Sequence, residues 1–422
     1  MKSLLFCFTI TALSSSAFAE MWSYDPVTPE NNTRESITTM YVTDTIDTSE
    51  GELTVIGEIK NFGTGSGFNI GGSYNLNAGK ITNQYGTIIL YDASLNSTGS
   101  IMNQYGSLFE VNGNSFQRGD GNVEFQQNST LSLTDYANFN VKGNIVLYWN
   151  ANIKLAYNSV LSVNQISSLY EEGTGFSITL DEGAQIVTQG GTVSAKSITL
   201  AKNAKITGNV STSGSLVLGE GNTISGNITA ADLVLNEGAS VGGTVSASNS
   251  LTLNGNTSAY LGVYPALKGT CNLNNVGGKA ITSDVELKWA DAGATLNIAL
   301  GNNSLSANNR DNAIVWTQYG KDMTEGSSIN ISLSDFILDD IFVEGQTYEI
   351  ALICSRYYTV KAWMENINLI DDSSVADFVE DSLVWKDNAI WVSVTAAVPE
   401  PAACAAIFGA LALAFAAYRK RK

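Results

Sequence analysis

Histidine is absent from all 422 residues. That removes Ser-His-Asp and Cys-His nucleophile arrangements and every histidine-containing metal site. Basic charge is also scarce, with 22 Lys and Arg against 40 Asp and Glu and a net charge of −18. Nucleic acid needs a basic face, so no nucleic-acid partner is expected. Between Lys60 and Lys268 the only arginine is Arg118, whereas a polysaccharide lyase would want Lys or Arg near a calcium-binding carboxylate cluster. Charged residues of either sign make up only 15 % of the chain. Gly, Asn, Ser and Thr abound instead, the composition expected where most outward positions are corners and polar ladders. Of four cysteines, Cys7 lies in an N-terminal apolar leader and Cys404 in a C-terminal apolar run, leaving Cys271 and Cys354. At their separation two buried free thiols are expected; a disulfide is the alternative if the compartment is oxidising.

What is present is a phrase written four times and begun a fifth between Ser177 and Leu253. It opens on an apolar-x-apolar pair: Ile178/Leu180, Ile198/Leu200, Leu216/Leu218, Leu233/Leu235 and Leu251/Leu253. Side chains at i and i+2 share one face of a strand. Three residues after each of the first four second members stands Gly183, Asn203, Gly221 or Gly238, residue types that accept a positive φ at a tight corner. A second inward position follows at Ile186, Ile206, Ile224 and Val241, and a third at Val193, Val210, Ile228 and Val245, each two residues after a glycine. No copy can bury its own apolar row, whereas copies stacked at roughly 4.8 Å bury Leu on Leu and Ile on Ile. A period near twenty residues is that of a solenoid. The predicted fold is all-β: a parallel β-helix followed by a small β domain, with a signal peptide and one C-terminal apolar helix.

Residues 1–19, with Lys2, the apolar run from Leu4 to Leu13 and Ala17-Phe18-Ala19 ahead of Glu20, read as a secretory signal peptide cleaved between Ala19 and Glu20. Residues 20–50 are expected to be a leader and cap, since a solenoid end exposes unpaired strand edges. Residues 51–309 are assigned to β-helix repeats. Within them Ile81-Thr-Asn-Gln-Tyr-Gly86 returns as Ile101-Met-Asn-Gln-Tyr-Gly106, which predicts Asn83 stacked on Asn103 and Tyr85 on Tyr105. Structural stacking is the favoured explanation of that ladder, and a sugar-binding aromatic strip the functional one. Residues 310–396 carry four tryptophans and a crowd of acidic residues and are assigned to the small β domain. Its last piece, Leu383 to Val394, reads as a hairpin turning at Asp387-Asn388.

The end of the chain is Val398-Pro399-Glu400-Pro401, an uncharged Ala/Leu/Phe run from Ala402 to Ala417, Tyr418 and the basic tail Arg419, Lys420, Arg421, Lys422. The prolines hold Glu400 extended. The run is helix-forming and somewhat short of the roughly 20 residues that span a bilayer, with cations retained on the cytoplasmic side. Residues 398–422 resemble the PEP-CTERM sorting signal of Gram-negative bacteria, whose three features fall in this order. The resemblance implies recognition by an exosortase, an inner-membrane intermediate held through residues 402–418, cleavage near Pro399 to Pro401, and transfer to the cell surface, outer envelope or extracellular matrix. The body resembles autotransporter-type β-helical passengers, and its Gly-x-Val phrases resemble bactofilin rungs.

A glycosidase would need two carboxylates about 5 to 10 Å apart. Aligned copies place Glu182, Lys202, Glu220 and Glu237 at one corner position, with Glu220 and Glu237 a rung apart, but at the edge of tight turns and with Lys202 available to pair with Glu182 or Glu220. No catalytic residue, metal ligand or cofactor is therefore assigned. The expected function is that of an exported, surface-sorted structural or adhesin-like solenoid, with an extracellular glycan or matrix as a partner to consider; a carbohydrate-active or carbohydrate-binding β-helix is the alternative.

Overall fold

The computed structural model describes residues 39–42, 45–48, 52–62, 67–71, 75–168, 175–262, 265–289, 292–357 and 360–397. The predicted signal peptide with Ala17, Ala19 and Glu20 lies outside the described residues. So do Pro399, Glu400 and Pro401, the apolar run and the basic tail. No helix among the described residues is long and apolar enough to cross a membrane. The chain divides into two compact units, residues 1–248 and 249–422.

The first unit is a parallel β-solenoid whose apolar positions line up in three columns. In one column Leu131, Ile153, Ile178 and Ile198 are register partners, and so are Leu133, Leu155, Leu180 and Leu200. Leu216 over Leu233 and Leu218 over Leu235 repeat the arrangement. A second column joins Phe139, Leu161, Ile186, Ile206, Ile224 and Val241. A third joins Ile145, Ile166, Val193, Val210 and Ile228. Hydrogen bonding between turns rather than within them lets each short strand pair fully and bury its apolar side. The apolar positions predicted to face inward in this unit are buried, with two exceptions. Leu200 and Val241 are half-buried. Leu200 stands on the last strand of its eight-strand ladder, and Val241 on a strand of only two residues, so neither is enclosed as fully as its column mates.

Corners follow the expected chemistry. Gly183, Asn203, Gly221 and Gly238 all have positive φ, from 60° to 83°. Glycine and asparagine also fit one another vertically. A Cβ on Gly221 would lie 2.0 Å from Asn203 Oδ1, so the asparagine of one turn fills the space that the missing side chain of the next leaves open.

Polar columns run beside the apolar ones. Asn61 Nδ2 donates to Asn83 Oδ1 at 2.8 Å, and Asn83 Nδ2 to Asn103 Oδ1 at 3.1 Å. All three asparagines are fully buried. Gln84, Gln104 and Gln126 form a second amide ladder at 2.7 and 2.8 Å. The predicted stacking of Asn83 on Asn103 is therefore present as a hydrogen-bonded ladder, which gives each of these buried side chains at least one hydrogen-bond partner.

The second unit is also parallel through most of its length. Leu251, Cys271, Leu296, Ile329 and Ile367 are successive register partners, as are Leu253, Leu273, Ile298, Ile331 and Leu369. An asparagine ladder, Asn272 to Asn297 to Asn330 to Asn368, runs alongside at 2.8 to 2.9 Å. Parallel pairing thus continues past residue 309 as far as Ile367–Ile370. Among the described residues antiparallel pairing enters with Ala389–Ala396, which pairs with Thr347–Ser355, Ala376–Phe378 and Val384–Lys386. The hairpin turns at Asp387 and Asn388, both at positive φ, as a two-residue turn matched to strand twist requires. Cys271 and Cys354 are buried and unpaired. Burial pushes their thiols up to about 12 and about 11 respectively, which keeps them protonated and unreactive at neutral pH.

Candidate functional site

In a solenoid the strands face each other and the core, so side chains available to a partner concentrate at the corners. The corner ahead of the first column is a two-residue left-handed turn in successive rungs. Backbone bonds stack these corners: Tyr85 N donates to Gln104 O, Gly106 N to Gln127 O, and Asn128 N to Trp149 O. Tyr85, Tyr105, Gln127 and Trp149 are thereby consecutive members of one corner column, and all four have positive φ. Tyr85 and Tyr105 stack with centroids 5.1 Å apart and an interplanar angle of 16°. Both are exposed, at 52 % and 40 %, as is Trp149 at 40 %. Stacking of Tyr85 on Tyr105 follows from the sequence repeat. Trp149 does not, because Leu147-Tyr-Trp-Asn150 has no obvious likeness to Asn-Gln-Tyr-Gly, and only the pairing of Leu147 with Phe125 and of Phe125 with Asn103 sets the alignment.

The opposite corner of the same turns carries Tyr136, 63 % exposed and at φ 60°, packed edge-on against Tyr157 at 5.5 Å. Three residues after its column's Leu, Tyr136 occupies the place that Asn158, Gly183, Asn203, Gly221 and Gly238 hold in later copies.

Charged candidates behave as surface groups. Along the corner of Glu182, Lys202, Glu220 and Glu237, Gly183 N donates to Lys202 O and Asn203 N to Glu220 O, so Glu182, Lys202 and Glu220 stack one per turn. Lys202 Nζ lies 2.8 Å from Glu220 Oε1, with both side chains more than half exposed. The hydrogen bond to Glu220, then its charge, holds the Lys202 ammonium above its ordinary value. Glu220 is thus engaged by a cation.

Among the described residues no three Cys, Asp or Glu side chains converge as metal ligands. The acidic residues of the second unit do different jobs. Burial raises the carboxyls of Asp335 and Asp371. Asp339 is held below the ordinary range because its Oδ1 accepts the backbone N–H groups of Phe342 and Ile341 at 2.8 and 2.7 Å, while Oδ2 accepts from Asn302 Nδ2 at 2.6 Å. A carboxyl depressed in the folded state stabilises it above the unfolded carboxyl pKa, about 3.9, and that contribution is lost as pH falls through the lower folded value. Asp339→Ala should therefore be less stable than wild type at pH 7 in urea unfolding, with the gap closing as pH is lowered below about 3.9. A gap independent of pH would mean the carboxylate does not hold this loop.

The chain matches no protein-family model, no curated protein and no solved structure, and the corner residues above stand on their geometry alone.

Proposed function

We propose that this chain is an exported β-solenoid, held in the inner membrane through residues 402–418, cut by an exosortase-type protease near Pro399-Glu400-Pro401, and left at the cell surface or in the extracellular matrix. There it serves as a structural or adhesive element that acts by display and contact rather than by turnover. The observation that supports this reading is the position of the last described strand. That strand, Ala389–Ala396, pairs with three others, and Ala397 N is bonded to Val375 O, immediately ahead of the Pro-Glu-Pro. Cleavage there would leave every described strand intact. The order of Pro-Glu-Pro, apolar run and basic tail supports the sorting half of the reading. The unpaired state of Cys271 and Cys354 is compatible with an oxidising compartment because both thiols are enclosed by packing.

Replacing Pro399-Glu400-Pro401 with three alanines tests it in the native cell. The wild type should lose its last twenty-odd residues by intact mass and reach the surface, while the variant stays full-length in the inner membrane. Full-length, membrane-bound protein in both cases would reduce the tail to an anchor and place the solenoid's partners inside the envelope.

A further inference from the structure

The aromatic corner of the first unit carries a backbone cost that its packing does not explain. A bulky residue in the left-handed region costs roughly 1–2 kcal/mol relative to glycine, and asparagine tolerates it better than tyrosine or tryptophan. Most other turns of this solenoid answer the same demand with Gly or Asn, Tyr136 and Asp92 being exceptions, yet Tyr85, Tyr105 and Trp149 sit at φ 61°, 55° and 37° with their rings partly exposed. Register is already set there by the buried Asn61, Asn83 and Asn103 and by the Gln84, Gln104 and Gln126 ladder. Strain held at an exposed position points to what the side chain presents.

We infer that this corner is a binding site for a neutral polysaccharide. Its turns, residues 83–86, 103–106, 126–128 and 148–150, contain no charged side chain, and the neighbouring Glu124, whose Oε2 accepts from Gln126 Nε2 at 3.2 Å, disfavours an anionic ligand. Exposed rings beside the half-buried amides of Gln84 and Gln104 suit a ligand with an apolar ring face and hydroxyl groups at its rim. The pyranose face packs on Tyr105 and Trp149. Two turns separate Tyr105 from Trp149, about 10 Å of ladder, which is the length of an extended disaccharide. The inference gives the proposed adhesive role a ligand class. It stands apart from the sorting step, because binding is read on purified protein and sorting on the cell.

The test is affinity electrophoresis of the full chain, purified in mild detergent, through gels containing hydroxyethylcellulose or galactomannan, with alginate as the acidic comparison. Wild type should be retarded by a neutral polymer and not by alginate. Tyr105→Asn and Trp149→Asn should each weaken retardation roughly tenfold, the scale of one lost aromatic anchor. Their thermal midpoints should hold or rise, since asparagine suits the turn better, and Trp149→Phe should recover most of the binding. Unretarded wild type overturns the inference, as does equal retardation by alginate. Variants with lowered midpoints and unchanged retardation would make the rings register elements only.

Discussion

Leu218→Asp should cost about 4 kcal/mol or more and lower the thermal midpoint of the first unit by roughly 2–4 °C for each of them. Leu218 is fully buried and pairs in register with Leu235. An aspartate there has no cation in its column, so it must either desolvate a charge or open the turn. Coupling in a solenoid passes between nearest neighbours. The damage should therefore appear as faster hydrogen exchange around Leu235 before it appears at distant rungs. Val217 provides the comparison: it is adjacent on the same strand but points outward and is 48 % exposed. Val217→Asp should stay within about 0.5 kcal/mol of wild type. If the two variants unfold alike, the inward and outward faces have been assigned wrongly.

Gly119→Ala should be nearly as damaging, for a different reason. Gly119 is buried and does not need a positive φ; what it needs is room. An ideal Cβ would lie 1.6 Å from Ser97 O and 2.4 Å from its carbonyl carbon. Those are backbone atoms of the preceding turn, so relief requires the two turns to separate and their ladder bonds to stretch. Arg118 N, next in the chain, bonds to Leu95 O at 3.0 Å and would be pulled with it. The expected cost is about 3 kcal/mol or more, at the upper end of overpacking changes. Gly190→Ala isolates the conformational component, because Gly190 has φ 85° and nothing within 4 Å of its Cβ position. That variant should cost about 1 kcal/mol. Chemical denaturation of both decides the matter, and equal costs would mean that close approach at Gly119 is relieved without separating the turns.

Much of the architecture was legible in the chain because the information is local. An apolar residue at i and i+2 with a glycine or asparagine three residues on specifies a short strand and the corner that ends it, whatever lies above or below. Hence Ile178/Leu180, the left-handed Gly221 and the Asp387-Asn388 hairpin can be read from a few neighbours. The Asn83 and Tyr85 ladders were legible for a related reason: two hexapeptides nearly identical and twenty residues apart announce their own alignment.

Vertical contacts are different. They join residues about 17 to 38 apart, and turn length varies with each corner, so where the phrase drifts the partner of a given side chain is undetermined until the whole stack is closed. That is why only the tertiary structure put Trp149 in the column of Tyr105, brought Gly119 against the Ser97 carbonyl, left Leu200 half-buried on the last strand of its ladder, and carried parallel pairing past residue 309. The sequence by itself determined that the chain forms stacked turns with apolar columns inside. The stack decided which corner side chains stand together in solvent, because their alignment depends on the summed lengths of the turns between them.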